Sequence, residues 1–164
     1  MRREETIDFH IKSSWHAIAR MYNQKAAQEA NLTSSIGFVL ININSKEGTP
    51  ATKIAPLMGL ESRSLTRMLK GMEEKGLIFR KPDATDKRSV RIFLTQKGVR
   101  LKGLSVKTIN EFNELVRRDL TEDELDTFFR VFKKINGVIE EFSSGSKMDQ
   151  LGPKIANEDE FPYG

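Results

Sequence analysis

Apolar residues recur with a helical period along most of the chain. Ile7, Ile11, Trp15, Ile18 and Tyr22 are spaced 4, 4, 3 and 4, one face of an amphipathic helix predicted over residues 6–30. Leu32-Thr33-Ser34-Ser35 offers capping hydroxyls to a second helix over 36–44, apolar nearly all round and so expected inside. Lys46-Glu47-Gly48 breaks it. Thr49 then caps a short helix with Pro50 at its first position, running through Ile54, Ala55, Leu57 and Met58 to Gly59. Leu65, Met68, Leu69 and Met72 form the inward stripe of a helix over 61–75, stopped by Gly76. Two short helices joined by a tight glycine turn, the second carrying Arg63, Arg67 and Lys70 outward, make a helix-turn-helix.

The period then changes. Leu77-Ile78-Phe79-Arg80 is apolar and then basic, Pro82-Asp83-Ala84-Thr85-Asp86 is turn chemistry, and Ser89 to Leu94 alternates with Val90, Ile92 and Leu94 on one side. That predicts a β-hairpin with a Lys/Arg-rich tip, a wing. Thr95 caps a further helix with Leu101, Leu104, Thr108, Phe112 and Leu115 on one face. Thr121-Glu122-Asp123-Glu124 is a capping box. It opens a last helix whose Leu125, Phe128, Phe132, Ile135, Ile139 and Phe142 are spaced 3, 4, 3, 4 and 3, a seam against another helix. From 143 onward the chain is polar with Gly145, Gly152 and Pro153, expected as a loosely held tail whose Phe161-Pro162-Tyr163 is able to dock on a partner.

The predicted fold class is therefore mostly α with a small β-hairpin wing: a winged helix-turn-helix with N- and C-terminal dimerisation helices. Residues 1–45 would supply dimerisation and support, 46–98 the DNA-binding module, 99–142 the C-terminal dimerisation helices and 143–164 the tail. The 164 residues are 38% hydrophobic and 30% charged, enough for a core. The longest apolar stretch, around Ile36 to Ile43, is far shorter than the ~20 residues of a spanning helix. Arg2-Arg3 is followed by Glu4-Glu5 and no apolar run, so neither membrane insertion nor a signal peptide is expected, and a cytoplasmic location is. With no cysteine, disulfides, thiolate metal sites and cysteine redox switching are excluded. His10 and His16 lie six apart on different sides of a helix, so no metal site is expected.

Charge sharpens this picture. The net charge of +4 is modest, but residues 46–102 carry fourteen Lys/Arg against six Asp/Glu, between a near-neutral N-terminal segment and an acidic C-terminal one. Such asymmetry suits a polyanion-binding module.

The order of elements resembles the MarR (multiple antibiotic resistance regulator) family over residues 6–142. The resemblance is carried by Leu65-Thr66-Arg67-Met68-Leu69, Met72-Glu73-Glu74-Lys75-Gly76-Leu77-Ile78 and Arg80, then Asp86-Lys87-Arg88-Ser89-Val90-Arg91-Ile92-Phe93-Leu94-Thr95-Gln96-Lys97-Gly98. The second stretch fits the family's wing signature, Asp-x-Arg, a strand and Leu-Thr-x-x-Gly. Two departures stand out: Pro56 inside the first helix of the pair, where a kink or early end is expected, and Ser34-Ser35-Ile36-Gly37 where relatives often carry glutamine.

In a winged helix the second helix of the pair enters the major groove. Ser62, Arg63, Ser64, Thr66, Arg67 and Lys70 occupy its outer face. Arg63 and Arg67 are the candidates for bidentate bonds to guanine, while Ser62, Ser64, Thr49 and Thr52 would hold phosphates. At the wing, Lys87, Arg88 and Arg91 would approach the minor groove or its phosphates. The resemblance implies that Arg88 inserts and that Asp86 orients the hairpin by pairing with an arginine.

One module gives too small a surface for tight specific binding, so a homodimer on a pseudo-palindromic operator is expected. Ile7, Ile11, Leu125, Phe128, Phe132, Ile135 and Ile139 would form its interface, the alternative being that these helices close intramolecularly as a cap. The resemblance also implies a small aromatic or phenolic effector where the dimerisation helices meet the winged helix, near Trp15, His16, Met21, Tyr22, Phe38 and Met58. The functional expectation is a sequence-specific double-stranded DNA-binding regulator, a repressor without cofactor. No glycine-rich phosphate loop, metal-spaced cluster or catalytic triad suggests an enzyme. The rival reading is a winged helix that binds protein instead of DNA.

Overall fold

The computed structural model describes residues 2–30, 32–59, 61–83 and 89–144. By compactness the chain divides into two units, Trp15–Glu111 and Met1–Ser14 with Phe112–Gly164. Thus the division falls within two long helices, α1 (Ile7–Ala30) and α5 (Gln96–Arg118).

The central unit holds the core. α2 (Ser34–Ile41) starts at Thr33, whose hydroxyl accepts from the Ile36 amide at 3.4 Å, and it ends earlier than its apolar run because Asn42 serves as C-cap. Its Val39 and Leu40 are fully buried, joined by Ile43 just beyond it. α3 (Ala51–Met58) follows a two-residue strand, β1 (Thr49–Pro50). Here the capping expectation needs correction: Thr49 pairs with Ile92 in the sheet and Pro50 is the N-cap, so α3 begins one residue later and has no side-chain cap. Pro56 does not break α3, which runs two residues past it and ends at left-handed Gly59.

α4 (Ser62–Glu74) buries Leu65, Leu69 and Met72. Its C-terminus closes as a Schellman turn: the Gly76 amide donates to the Glu73 carbonyl and the Leu77 amide to Met72, both at 2.9 Å, with Gly76 at φ 66°. The chain emerges from this turn directly into β2 (Ile78–Pro82), which pairs antiparallel with β3 (Val90–Leu94), giving a three-stranded sheet of order β1-β3-β2. Ile78, Ile92 and Leu94 reach the core, but Val90, on the same side, is 41% exposed because the hairpin has run past the core's edge. Thr95 caps α5 as expected, accepting from the Gly98 amide at 3.1 Å and donating to the Gly76 carbonyl at 2.7 Å. Glycines allow close approach at two places in this unit. A Cβ on Gly37 would stand 2.9 Å from Ser105 Oγ, and one on Gly98 would collide with the Leu77 carbonyl.

The second unit contains a 3-10 turn (Arg3–Glu5), the first turns of α1, the end of α5 and α6 (Glu122–Ser143). The capping box forms as predicted. The Glu124 amide donates to Thr121 Oγ1 at 3.3 Å, and Glu124 Oε2 accepts from the Thr121 amide at 2.8 Å. That bond holds the Glu124 carboxyl below its ordinary range. Leu125 is buried, whereas Phe128, Ile139 and Phe142 are half exposed. Of the predicted tail, residues 145–164 lie outside the described residues.

The α5 glycines give a test of this packing. Gly98→Ala should lower stability by about 1–3 kcal/mol, since the backbone must shift to admit the methyl. Gly103→Ala, with nothing near its Cβ, should raise it by roughly 0.5–1 kcal/mol. Urea unfolding midpoints read both, and a neutral Gly98→Ala would contradict the close approach.

Candidate nucleic-acid interface

Burial of one side of α4 fixes the other outward. Ser62, Arg63, Ser64, Thr66, Arg67 and Lys70 are all exposed. Among the described residues no carboxylate pairs with Arg63, Arg67 or Lys70. Thr66 is partly committed, since its hydroxyl donates to the Ser62 carbonyl at 2.8 Å. Glu61, the N-cap, makes no side-chain cap, so the first amides of this thirteen-residue helix remain free of one. Free N-terminal amides, a positive helix end and two exposed guanidiniums one turn apart together suit an anion and a base edge. Thr52, on the first turn of α3, is exposed as well.

Thr49 is placed differently from its predicted phosphate role. Its hydroxyl accepts from the Asn44 amide at 2.9 Å and donates to the Asn42 carbonyl at 3.3 Å, tying the turn before β1. Arg91 is also engaged. Its Nε donates to Asp83 Oδ2 at 2.9 Å and its Nη1 to the carbonyls of Glu47 and Gly48 at 3.1 and 3.3 Å. Asp83 itself is 7% exposed. The Glu47 and Gly48 carbonyls were not visible from sequence spacing, because they lie 44 and 43 residues from Arg91. Asp86, Lys87 and Arg88, and with them the expected Asp86–arginine pair, lie outside the described residues. Other positive charges between residues 46 and 102 are used internally: Arg80 pairs with Glu73 at 3.0 Å, and Lys102 Nζ donates to the Ile43 carbonyl at 2.6 Å.

A small cavity opens between α1, α2 and α5 within the central unit, lined by Tyr22, Ala26, Leu32, Phe38, Leu101, Leu104, Ser105 and Thr108 among others. Two of the predicted effector residues, Tyr22 and Phe38, line it. Trp15 stands against Phe38 with ring centroids 6.0 Å apart but is 53% exposed, His16 is exposed, and Met58 packs on the core instead. The α5 lining residues were missed because their spacing reads equally as ordinary helix packing. About 40 Å³ is open, room for a few waters. Burial pushes the Tyr22 phenol above its ordinary range.

Residues 32–90 match the MarR family model. Among curated proteins, the HTH-type transcriptional regulator TtmR of Methylorubrum extorquens is 37% identical over 95 residues, 58% of this chain and 48% of that protein. The HTH-type transcriptional regulator SarZ of Staphylococcus aureus is 34% identical over 90 residues, 52% of this chain and 61% of that one. The chain thus spans about half to three fifths of the curated relatives it matches. Among solved structures, a DNA complex of S. aureus MepR superposes with a TM-score of 0.75 at 23% identity, covering 82% of this chain and 98% of that chain, a likeness of fold.

The cavity yields a pH test. A raised folded value means that Tyr22's contribution to stability is intact below the ordinary value of 10.0 and is lost as pH rises past it. Absorbance titration should show a late-ionising tyrosine that disappears in Tyr22→Phe. Ionisation at the ordinary value in the folded protein would contradict its burial.

Proposed function

We propose that this chain, which carries a MarR-family winged helix over residues 32–90, is a sequence-specific double-stranded DNA-binding transcriptional regulator, acting in the cytoplasm as a homodimer and not as an enzyme. The observation that carries the reading is the outer face of α4: Arg63, Arg67 and Lys70 exposed and without carboxylate partners among the described residues, on a helix whose opposite side is locked in the core. Arg63 and Arg67 read bases, while Ser62, Ser64, Thr52 and the α4 amides hold phosphates. Lys87 and Arg88 would approach the minor groove or its flanking phosphates, Arg88 as the inserting residue, with Asp86 pairing with an arginine to orient the hairpin. Bound across a promoter, such a protein excludes polymerase and acts as a repressor.

The exposed apolar residues of the second unit support the homodimer. Ile7, Phe128, Ile139 and Phe142 are each between 50% and 61% exposed, a cost that a second copy would relieve. Ile11, Phe132 and Ile135 extend the same seam. Supporting an effector, the cavity beside Tyr22 and Phe38 presents aromatic and aliphatic walls with Ser105 and Thr108 as hydrogen-bonding groups. A ring-sized ligand enters it only if lining side chains move, which would couple binding to the α2–α5 contact. Among the described residues no helix is long and apolar enough to cross a membrane.

Selection of bound duplexes from a random pool tests the reading. Enrichment of an inverted repeat with half-sites about one helical turn (~10 bp) apart is expected. Affinity should fall with salt by a log–log slope of about −0.9 per phosphate neutralised. Arg63→Ala should relax preference at one base position at a cost of about 1–3 kcal/mol. No enrichment, or a salt-independent affinity, would instead favour a protein-binding winged helix.

The dimer has its own test. Phe128→Asp should yield a folded monomer in sedimentation equilibrium, because the residue is half exposed in the single chain. A dimer that survives it would place the interface elsewhere.

A further inference from the structure

We infer that Arg91 is a positioning residue that clasps the root of the wing to the turn entering the helix-turn-helix, and makes no contact with DNA phosphate. The inference rests on the DNA-binding reading above.

Three chain segments meet at this guanidinium. Asp83 stands just past the end of β2, where its amide donates to the Ser89 carbonyl at 2.9 Å. Its carboxylate takes Arg91 Nε, and Arg91 Nη1 reaches from β3 to the Glu47 and Gly48 carbonyls before β1. The turn those carbonyls belong to leads through β1 into α3. Gly48 makes the approach possible: at φ 66° its backbone lies so near β3 that a Cβ would stand 2.6 Å from the Ile92 carbonyl. The planar fork of arginine satisfies a carboxylate and neighbouring carbonyls at once, which a single ammonium cannot do in this geometry.

The same pairing changes what DNA would feel. A guanidinium 2.9 Å from a nearly buried carboxylate has its charge opposed at close range, with 28% and 7% of the two side chains exposed. It therefore adds little to counterion release, which follows free positive charge near phosphates. Its influence on binding runs through the placement of the residues that the hairpin root and the α3 entry carry.

The test compares Arg91→Lys, Arg91→Ala and Asp83→Asn on duplexes enriched by the unmodified chain, with affinity measured across a salt series. Asp83→Asn is decisive in sign. It raises the net charge by one, so bulk electrostatics alone predicts tighter binding, whereas loss of the clasp predicts several-fold weaker binding. Arg91→Lys should weaken binding about as much as Arg91→Ala, with the salt slope of the unmodified chain retained in both. The double variant Asp83→Asn/Arg91→Ala should bind no worse than the poorer single one.

Thermal midpoints identify any variant that is unfolded at the assay temperature, and the conservative Arg91→Lys then carries the comparison. The inference is overturned if Asp83→Asn binds as tightly as the unmodified chain or tighter. Full rescue by Arg91→Lys, or a slope reduced by about 0.9 in Arg91→Ala, would overturn it too by identifying one lost phosphate contact. An unmodified chain that enriches no duplex overturns the DNA-binding reading itself, and this inference with it.

Discussion

Leu65, Leu69 and Met72 sink into the core alongside Leu40, Ile43, Ile54, Leu77 and Ile92, and the exposed face of α4 follows from that burial. Each such side chain contributes about 1.5–3 kcal/mol by leaving water. Three of them together are comparable to the whole net stability of a small domain, about 5–15 kcal/mol. Turning α4 about its axis would forfeit that sum, so the phase of the helix is fixed. With 3.6 residues per turn, Ser62, Arg63, Thr66, Arg67 and Lys70 have nowhere to point but outward. The Schellman turn at Gly76 and the Thr95 hydroxyl on the Gly76 carbonyl then set where α4 stops and where the hairpin departs. The core residues thus set which side chains of α4 are exposed.

The long helices were legible because their signals are local and repeated. The stripe of α1, the capping box Thr121–Glu124 and the Gly76 stop each lie within a few residues, and each formed where the pattern placed it. What escaped is long-range. A two-residue strand has no period to detect, so Thr49 and Pro50 read as a helix cap when β3 was waiting to pair with them. Alternation put Val90 on the side of Ile92 but could not say where the core ends. The bonds from Arg91 to Glu47 and Gly48 join positions more than forty residues apart. Nothing in the local sequence distinguishes Arg91 from an arginine awaiting phosphate.

Lys and Arg are in excess between residues 46 and 102, yet several of those cations serve the fold. Arg80 pairs with Glu73, Arg91 with Asp83, Lys97 donates to the Lys75 carbonyl and Lys102 to Ile43. These contacts staple α4, the sheet and α5 to their neighbours. The charges on α4 without a carboxylate partner among the described residues are fewer than composition suggests, but they share one face. Their concentration, more than the net charge, favours a partner with closely spaced phosphates.

Amide hydrogen exchange of the full chain, with and without a duplex enriched from random DNA, tests the central claim most directly. The uncapped first turn of α4 should exchange freely in the unbound protein, since its leading amides have no acceptor within the helix. On binding, slowed exchange at Ser62, Arg63 and Ser64, with the stable core amides unchanged, is the predicted result. Protection confined to the second unit, with α4 exchanging as before, would contradict the claim that this helix is the surface that meets DNA.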